Sequence, residues 1–338
     1  MAHQTVRVET GGRLATVRGQ VLGEDWQAAG PAGISRRAAL SLGRRIWRDR
    51  IMLLLALPGI LYLLIFVYIP QLGNIIAFEN YLPYVGFGSP FVGFANFSQM
   101  FVTPQFWNAV KNTVVISSLQ LLLYFPAPIM LALLLNSLVS TGLRRAIQSI
   151  VYLPHFISWV IIVALFQQVL GGGGVMDHLF EAFGSKPTNV MADPGLFKWM
   201  MTVQVIWKDT GWGTIIYLAA LLSIDAALYE AAAVDGAGPW RRLWHVTLPG
   251  IVGITILLMV LRLGTILTVG FEQILLQRDA VGEQAGEVLD TFVYYYGIAG
   301  GQWSLAAAAG LVKGVVGLII VLSANKVAHL FGQPGVLE

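Results

Sequence analysis

The chain has 338 residues, of which 56% are hydrophobic and only 12% charged, with a formal net charge of +3 and a mean hydropathy of +0.70. A soluble domain has about 25% charged residues and cannot bury so large an apolar fraction, so the composition predicts a polytopic membrane protein instead of a large soluble helical core. The absence of cysteine excludes a disulfide framework, thiol catalysis and a zinc–thiolate site.

Six apolar segments are long enough to cross a bilayer, which takes about 20 residues. They cover Ile51–Pro70, Thr113–Leu135, Ile147–Leu170, Trp199–Ile224, Ile251–Phe271 and Trp303–Asn325. The fourth segment is predicted to be interrupted by two charged residues and two glycines between positions 208 and 213. We therefore predict an all-α integral membrane fold with six transmembrane helices in a domain spanning residues 51–330.

The two ends of the chain are predicted to be cytoplasmic tails, residues 1–50 and 331–338. No secretory signal precedes the first apolar segment, and residues 1–34 are expected to lack ordered structure. The basic segment that follows, 35–50, fits either a stop-transfer charge cluster or an amphipathic helix on the inner leaflet.

Basic residues are distributed unequally between the two sides of the membrane, and this asymmetry sets the orientation. The cations outside the spans are concentrated on one side, at Arg36, Arg37, Arg44, Arg45, Arg48, Arg50, Arg144, Arg145, Arg241, Arg242 and Lys326. The last loop on the other side is acidic between positions 279 and 290. By the positive-inside rule both termini and the loop at 228–249 are cytoplasmic.

The predicted external segment 71–110 is rich in aromatic residues, glycine and proline. It fits either a surface that meets an external partner or an aromatic belt at the lipid interface. The four glycines at 171–174 are most simply a flexible external turn.

The cytoplasmic stretch EAAAVDGAGPWRRLWHVTLP, residues 230–249, concentrates polar and aromatic residues between two apolar segments. Its alanines favour a helix, and Gly236, Gly238 and Pro239 then force a turn. A second short helix, with Trp240 and Trp244 on its apolar face, is expected to end at Leu248-Pro249, where the chain enters the membrane. This composition predicts a docking surface for another protein.

The spacing of Glu230-Ala231-Ala232, Gly236 and Val246-x-Leu248-Pro249 resembles the EAA loop of ATP-binding-cassette (ABC) importer permeases. Further segments, SIVYLPHFISWVI at 149–161, WKDTGWGTIIYLAAL at 207–221 and FEQI at 271–274, resemble the oligosaccharide and polysaccharide permeases of that family, including the alginate type. The resemblance covers residues 50–330 and implies the type I importer permease fold with a cytoplasmic coupling helix.

The resemblance implies that the loop is seated in a cleft of a cytoplasmic ATPase subunit. Glu230 would pair with a basic residue there, Gly236 and Gly238 would permit the bend, and Trp240 and Trp244 would fill apolar pockets, although packing of the loop on its own bundle is the alternative. The implied coupling residues are Glu230, Ala231, Ala232, Asp235, Gly236, Ala237, Gly238, Trp240 and Trp244.

The family also implies the partners: a second homologous permease, two cytoplasmic ABC ATPases, an extracytoplasmic solute-binding protein and an oligosaccharide, in the bacterial cytoplasmic (inner) membrane. The chain lacks the GxxxxGK[ST] phosphate loop, so ATP and Mg²⁺ are expected in the ATPases. This chain is expected to be no enzyme, to hold no cofactor or metal and to contact lipid but no nucleic acid.

Ionisable residues at a helix centre cost about 2.5–3.5 kcal/mol on insertion scales, so those within the spans should face the bundle interior. They either line a sugar pathway or pair internally, for example Lys313 and Arg262 with Glu272. The candidates for the pathway are Trp159, Gln167, Gln204, Trp207, Lys208, Tyr217, Arg262, Gln273 and Lys313. Their cationic excess points to an acidic oligosaccharide, whereas Gly310-x-x-x-Gly314 is expected to allow a close helix approach.

Two other functions fit a polytopic chain less well. A secondary transporter or channel predicts inverted repeats with paired broken helices, and no matching halves are visible in the sequence. A membrane-bound transferase predicts a carboxylate cluster, a His-rich motif or a DxD-like metal site, and no loop carries one.

Overall fold

A computed structural model describes residues 7–10, 13–16, 47, 49–184, 189–330 and 335. It divides the chain into two compact units, residues 1–70 and 71–338. In the first unit, strands β1 (Arg7–Thr10) and β2 (Arg13–Thr16) form an antiparallel pair. The prediction that residues 1–34 lack order is therefore wrong for these eight residues. The basic segment up to residue 46, and most of 331–338, lie outside the described residues.

The helices account for most of the described chain. In order they are α1 (Arg50–Phe78), α2 (Ala95–Val102), α3 (Pro104–Ser137), α4 (Thr141–Tyr152), α5 (Trp159–Leu170), α6 (Val175–Ala182), α7 (Phe197–Leu222), α8 (Ala226–Val234), α9 (Pro239–Gly264), α10 (Phe271–Leu275), α11 (Arg278–Val281), α12 (Glu283–Gly286), α13 (Leu289–Phe292) and α14 (Trp303–Leu330). Short π segments interrupt α1, α3 and α9 without ending them, and a 3₁₀ segment, Leu72–Phe78, forms the last part of α1.

Five helical segments are long and apolar enough to cross a membrane: α1, α3, α5 together with α6, α9 and α14. Helices α7 and α8 meet at a 65° bend and supply a sixth when the pair is taken as one span. The first span is apolar on every side, and none of its residues between Arg50 and Gln71 is buried, as suits a helix that faces lipid or a partner.

The predicted third span is two helices, not one. Proline cannot donate a backbone hydrogen bond, and Pro154 lies in a 3₁₀ turn, Leu153–Phe156, that follows the end of α4 at Tyr152. Ser158 then caps α5, accepting a hydrogen bond from the backbone N–H of Ile161 at 3.5 Å. The break places the backbone of residues 153–158 beside α7.

The predicted interruption of the fourth span is wrong, because α7 is one continuous helix of 26 residues. Its two glycines serve packing instead. A side chain at Gly211 would overlap the carbonyl oxygen of Val151, and one at Gly213 would lie 2.9 Å from Cγ of Pro128. Helix α7 therefore crosses both neighbouring helices at close range.

The fifth span also differs from the prediction. Helix α9 starts at Pro239, runs through Pro249 and ends at Gly264, so Leu248-Pro249 does not end the short helix. A π turn at Leu243–Thr247 precedes the proline and widens the helix at the point where an ordinary backbone bond is missing. Arg262 consequently lies in the last turn of α9, not deep within a span that continues to residue 271.

The core of the second unit is built around α7. One cluster of buried side chains joins α3, α7 and α9, with members Ala132, Leu135, Tyr217, Leu218, Leu221 and Ile251. A second cluster, centred on Phe106 and Phe292, attaches α13 and α14 to the start of α3. The short helix α12 and the residue after it are held by the side-chain amides of Asn108 and Asn112, which donate to backbone carbonyls at Glu283, Gln284 and Glu287.

Candidate functional site

The loop at 228–249, which is predicted to be cytoplasmic, is a helix–turn–helix with a defined hydrogen-bond pattern. Asp225 caps α8 through the N–H of Ala227 at 2.9 Å. At the other end the N–H of Ala237 donates to the carbonyl of Ala232 at 2.8 Å, and that of Gly236 to Ala233 at 3.1 Å. This is the Schellman arrangement, which needs a left-handed residue after the helix, and Gly236 has φ +73°.

The two indoles of the loop have little contact within this chain. Trp240 is 76% exposed and Trp244 is 64% exposed, and the charged side chains of Glu230 and Asp235 are also exposed. The hydroxyls of Tyr229 and Thr247 lie 3.1 Å apart and join the two arms of the loop. The loop is thus internally braced with its two indoles outward, the geometry expected of a docking element.

An apolar groove of about 780 Å³ lies between the end of α3 and this loop. Trp240, Leu243 and Tyr229 form its loop side, and Leu133 and Leu134 form its α3 side. Of the nine predicted coupling residues, Ala232 and Ala237 are half-buried and the other seven are exposed. Their role in coupling remains a prediction.

Adjacent residues of α7 hold the break in the third span. The buried ammonium of Lys208 donates to the carbonyls of His155 at 2.9 Å, Pro154 at 3.4 Å and Ile157. Asp209 Oδ1 lies 2.8 Å from His155 Nδ1. The predicted pathway residue Lys208 therefore satisfies backbone carbonyls that the interrupted helix leaves free.

A cavity of about 320 Å³ opens between α3, α7 and α9. Its lining includes Phe125, the polar aromatic side chains of Tyr124, Trp212 and Tyr217, and the guanidinium-bearing Arg262. Arg262 Nη2 donates to Oε1 of the buried Gln120 at 2.6 Å, and its Cζ lies 5.6 Å from the ring centroid of Tyr124. Aromatic faces beside a cation suit an acidic sugar.

Two further cations, Lys313 and Arg278, have anionic partners. Lys313 pairs with Asp290, and Arg278 Nε donates to Oε2 of the fully buried Glu287 at 2.7 Å. Burial raises the pKa of the Glu287 carboxyl, against the opposing effects of Thr291 and Arg278. Neither Lys313 nor Arg262 pairs with Glu272, which is exposed, so that predicted pairing is wrong.

Two predicted pathway amides are fully buried. Gln273 Nε2 donates to Gln204 Oε1 at 2.7 Å, and the side chains of Gln204 and Gln277 also bond to each other at 3.0 Å. This network ties α7 to the segment around α10. A direct contact of either predicted amide with sugar would require that network to open.

The remaining candidates lie apart from the cavity. Trp159 has its ring 5.3 Å from the Lys208 ammonium, Trp207 packs edge-to-face on Phe166 at 5.8 Å, and Gln167 is exposed near the end of α5. Only Tyr217 and Arg262 of the predicted pathway residues line the cavity. Gly310 and Gly314 have no neighbouring atom within 4 Å of an added Cβ, so the close approach expected there is absent within the described chain.

Sequence reasoning missed Gln120, Tyr124, His155 and Trp212. The sequence carries one signal for Trp212, which lies on the same apolar segment as Tyr217. Packing against the neighbouring helices decides which aromatic side chains of a span face the interior, and the sequence alone does not show that packing. Among the described residues no group of three His, Asp or Glu side chains could hold a metal ion.

Comparison with known proteins identifies the family. Residues 124–332 match the model of the binding-protein-dependent transport system inner membrane component. The chain is 44% identical to protein LplB of Bacillus subtilis (strain 168), over 90% of this chain and 94% of the relative. It is 41% identical to the polygalacturonan/rhamnogalacturonan transport system permease protein YteP of the same organism, over 86% and 92%.

The fold is similar to that of a chain in the crystal structure of a bacterial alginate ABC transporter in complex with its alginate pentasaccharide-bound periplasmic protein. The TM-score is 0.81 at 40% identity, and the match covers 87% of this chain and 99% of that one. The predicted all-α membrane architecture and the family resemblance are confirmed. The chain belongs to the binding-protein-dependent transport system inner membrane components, the type I permeases of ABC transporters.

Proposed function

We propose that this chain is the transmembrane permease subunit of an ATP-driven importer of acidic oligosaccharides in the bacterial inner membrane. The observation that carries the substrate class is the cavity at Arg262, Tyr124, Trp212 and Tyr217. Of the similar proteins, one is named for the transport of polygalacturonan and rhamnogalacturonan, and another belongs to an ABC transporter for the acidic polysaccharide alginate.

The acidic substrate class is inferred from the charge of Arg262. Among the described residues no carboxylate forms an ion pair with it, and its closest polar partner is the neutral amide of Gln120. A half-buried guanidinium favours a charge-assisted, bidentate carboxylate partner. The carboxylate of a uronate would supply that partner, while the rings of Tyr124, Trp212 and Tyr217 contact the apolar faces of the sugar.

The cytoplasmic loop gives the permease its link to ATP hydrolysis. In the proposed complex the exposed Trp240 and Trp244 dock into one of two ATPase subunits, which hold ATP and Mg²⁺. A second permease completes the pathway, and a sugar-loaded binding protein engages the external side. A ligand that binds two states with equal affinity does not shift the equilibrium between them. ATP must therefore bind the ATPase subunits more tightly in one conformation of the complex than in the other.

The test is the ATPase activity of the whole reconstituted complex with its binding protein, assayed with neutral and uronic oligosaccharides. We expect stimulation by the uronic series. A charge-assisted hydrogen bond contributes about 1.5–3 kcal/mol, so Arg262→Gln should reduce that stimulation roughly tenfold or more, and Arg262→Lys should reduce it less. Arg145→Gln, at an exposed arginine of α4, is the matched control and should keep it.

Each outcome bears on a different part of the proposal. Stimulation by neutral glycans alone would contradict the acidic substrate and leave the aromatic rings as the sugar-contacting groups. Sugar uptake that continues without ATP would contradict the ABC mechanism and favour a secondary transporter.

A further inference from the structure

The break in the third span is connected to the cavity by a short chain of contacts. His155, in the 3₁₀ turn between α4 and α5, bonds through Nδ1 to Asp209 Oδ1 at 2.8 Å. Its ring stacks on the indole of Trp212, with centroids 4.5 Å apart and planes 5° from parallel. Trp212 in turn lines the cavity with Arg262.

The two α7 residues in this chain of contacts are three positions apart, so they lie on the same face of the helix. Asp209 therefore orients the imidazole from one side while Trp212 packs against its plane. Phe156 contacts Trp212 edge-on with centroids 5.8 Å apart, but His155 covers the indole face. The imidazole side chain is about one-third exposed and the Asp209 side chain about one-quarter, so neither group is fully removed from water.

We propose that His155 is a positioning residue for sugar binding: held by Asp209, it fixes the plane of the Trp212 indole at the cavity wall. The inference rests on the proposed function, because it takes the cavity to be the sugar site. An indole with two free rotatable bonds would lose orientational freedom each time a sugar ring stacked on it. Stacking on His155 removes that freedom before the sugar arrives.

The backbone of the 3₁₀ turn is held by contacts that do not involve the His155 imidazole. Lys208 anchors the carbonyls of Pro154, His155 and Ile157, so the 3₁₀ turn is held at α7 without the imidazole. Replacing the imidazole therefore tests the position of the indole more than the fold of the turn. His155 can therefore be replaced without removing the hydrogen bonds that hold the turn.

The experiment compares His155→Ala, His155→Phe and Trp212→Ala in the complete complex with its binding protein. The readouts are the ratio of ATPase activity stimulated by uronic oligosaccharide to unstimulated activity, the sugar-concentration dependence of uptake, and complex assembly by size-exclusion chromatography. His178→Ala is the matched control, since His178 is an exposed histidine of α6 paired with Glu181.

We expect His155→Ala to lower the stimulation ratio roughly 2- to 12-fold, the equivalent of one lost aromatic pair. His155→Phe keeps a ring against Trp212 without the bond to Asp209, and should retain more of the ratio than His155→Ala. His178→Ala should leave the ratio at its original value, and Trp212→Ala should lower it at least as much as His155→Ala.

The outcomes separate this inference from the proposed function. An assembled His155→Ala complex with a normal ratio, beside an impaired Trp212→Ala complex, would overturn the positioning role and leave the cavity as the sugar site. A normal ratio in Trp212→Ala would contradict the sugar site itself. If His155→Ala does not assemble, His155→Phe decides: a loss as large as that of Trp212→Ala would overturn the inference, and a retained ratio would support it.

Discussion

Gly211 shows how one missing side chain sets the packing of α7. The carbonyl oxygen of Val151 occupies the space that a Cβ at this position would need, and backbone atoms cannot move aside as a flexible side chain can. The same contact brings α4 close enough for Lys208 and Asp209 to hold the turn that follows it. The glycine therefore contributes to the site as well as to the core.

Gly211→Ala is expected to destabilise the permease, because the added methyl group forces α4 and α7 apart. Overpacking of a well-packed core costs typically about 1–3 kcal/mol. Gly310→Ala is the matched control, since nothing lies within 4 Å of a Cβ there. Thermal melting of the purified chain in detergent should show a lower transition temperature for the first variant only, and equal transitions would contradict the packing role.

Lys208 illustrates a buried charge used to satisfy a broken backbone. Replacing it with methionine, of similar length, removes the donor from the three carbonyls at the break. Hydrogen bonds from charged groups contribute about 1.5–3 kcal/mol, so Lys208→Met should lower the melting temperature of the permease in detergent. Lys111→Met, at an exposed lysine of α3, should not, and a comparable loss in both variants would count against the role.

At the scale of elements, proline has opposite effects at two positions. Pro154 lies in a turn that separates two helices, whereas Pro249 lies inside a continuous helix that a π turn has widened. Both prolines stand in apolar segments, so the sequence predicted the hydrophobic spans but could not predict which proline ends a helix. The outcome depends on whether a neighbour such as Lys208 satisfies the freed carbonyls.

In the loop at 228–249 the predicted helix and the turn at Gly236 are confirmed, because capping and turn formation depend on local residues. The predicted end of the second helix at Leu248-Pro249 is wrong, since the helix continues to Gly264. The cavity was predicted only in part, at Tyr217 and Arg262. Tyr124, Trp212 and His155 come from three different helical segments, and only tertiary packing brings them to one place.

Substitutions in the loop at 228–249 should separate ATP hydrolysis from sugar transport. Proline cannot adopt the φ of +73° found at Gly236, and it lacks the N–H that donates to Ala233, so Gly236→Pro removes the Schellman turn. Glu230→Lys reverses an exposed charge. In proteoliposomes both variants should lose sugar-dependent uptake and the stimulation of ATPase activity by sugar. Unstimulated ATP hydrolysis should continue, and the permease should remain folded.

The matched charge reversal for Glu230→Lys is Glu181→Lys, at an exposed residue of α6, and it should preserve transport. Normal uptake in both Gly236→Pro and Glu230→Lys would exclude the loop from coupling. Loss of the folded permease in Gly236→Pro would leave Glu230→Lys as the test.

At the scale of the whole molecule, the long apolar helices present many exposed leucine, isoleucine and phenylalanine side chains, as is typical of helices that cross a bilayer. Buried polar side chains of α7 bond to side chains of a neighbouring segment or to backbone carbonyls. Helix α7 thus connects the break at His155, the cavity and, through the 65° bend into α8, the loop at 228–249.

The orientation of this assembly can be tested without altering a native cysteine, because the chain has none. Val139, between α3 and α4, is 98% exposed, and Tyr84, between α1 and α2, is 83% exposed. The positive-inside rule places Val139 in the cytoplasm with Arg144 and Arg145, and Tyr84 outside. A membrane-impermeant maleimide should therefore label Tyr84→Cys in right-side-out vesicles and Val139→Cys in inside-out vesicles.

Denatured chains of both variants should label fully, which controls for thiol reactivity and for cover by a partner subunit. The reverse pattern would invert the topology, and the loop bearing Trp240 would then face away from ATP. Labelling of both positions from one side would mean an even number of crossings between them, and would contradict the single crossing by α3 that is expected of a six-span chain. Between residues 84 and 139, α3 is the helix that is long and apolar enough to cross a membrane, so opposite-side labelling tests directly that Pro104–Ser137 crosses once.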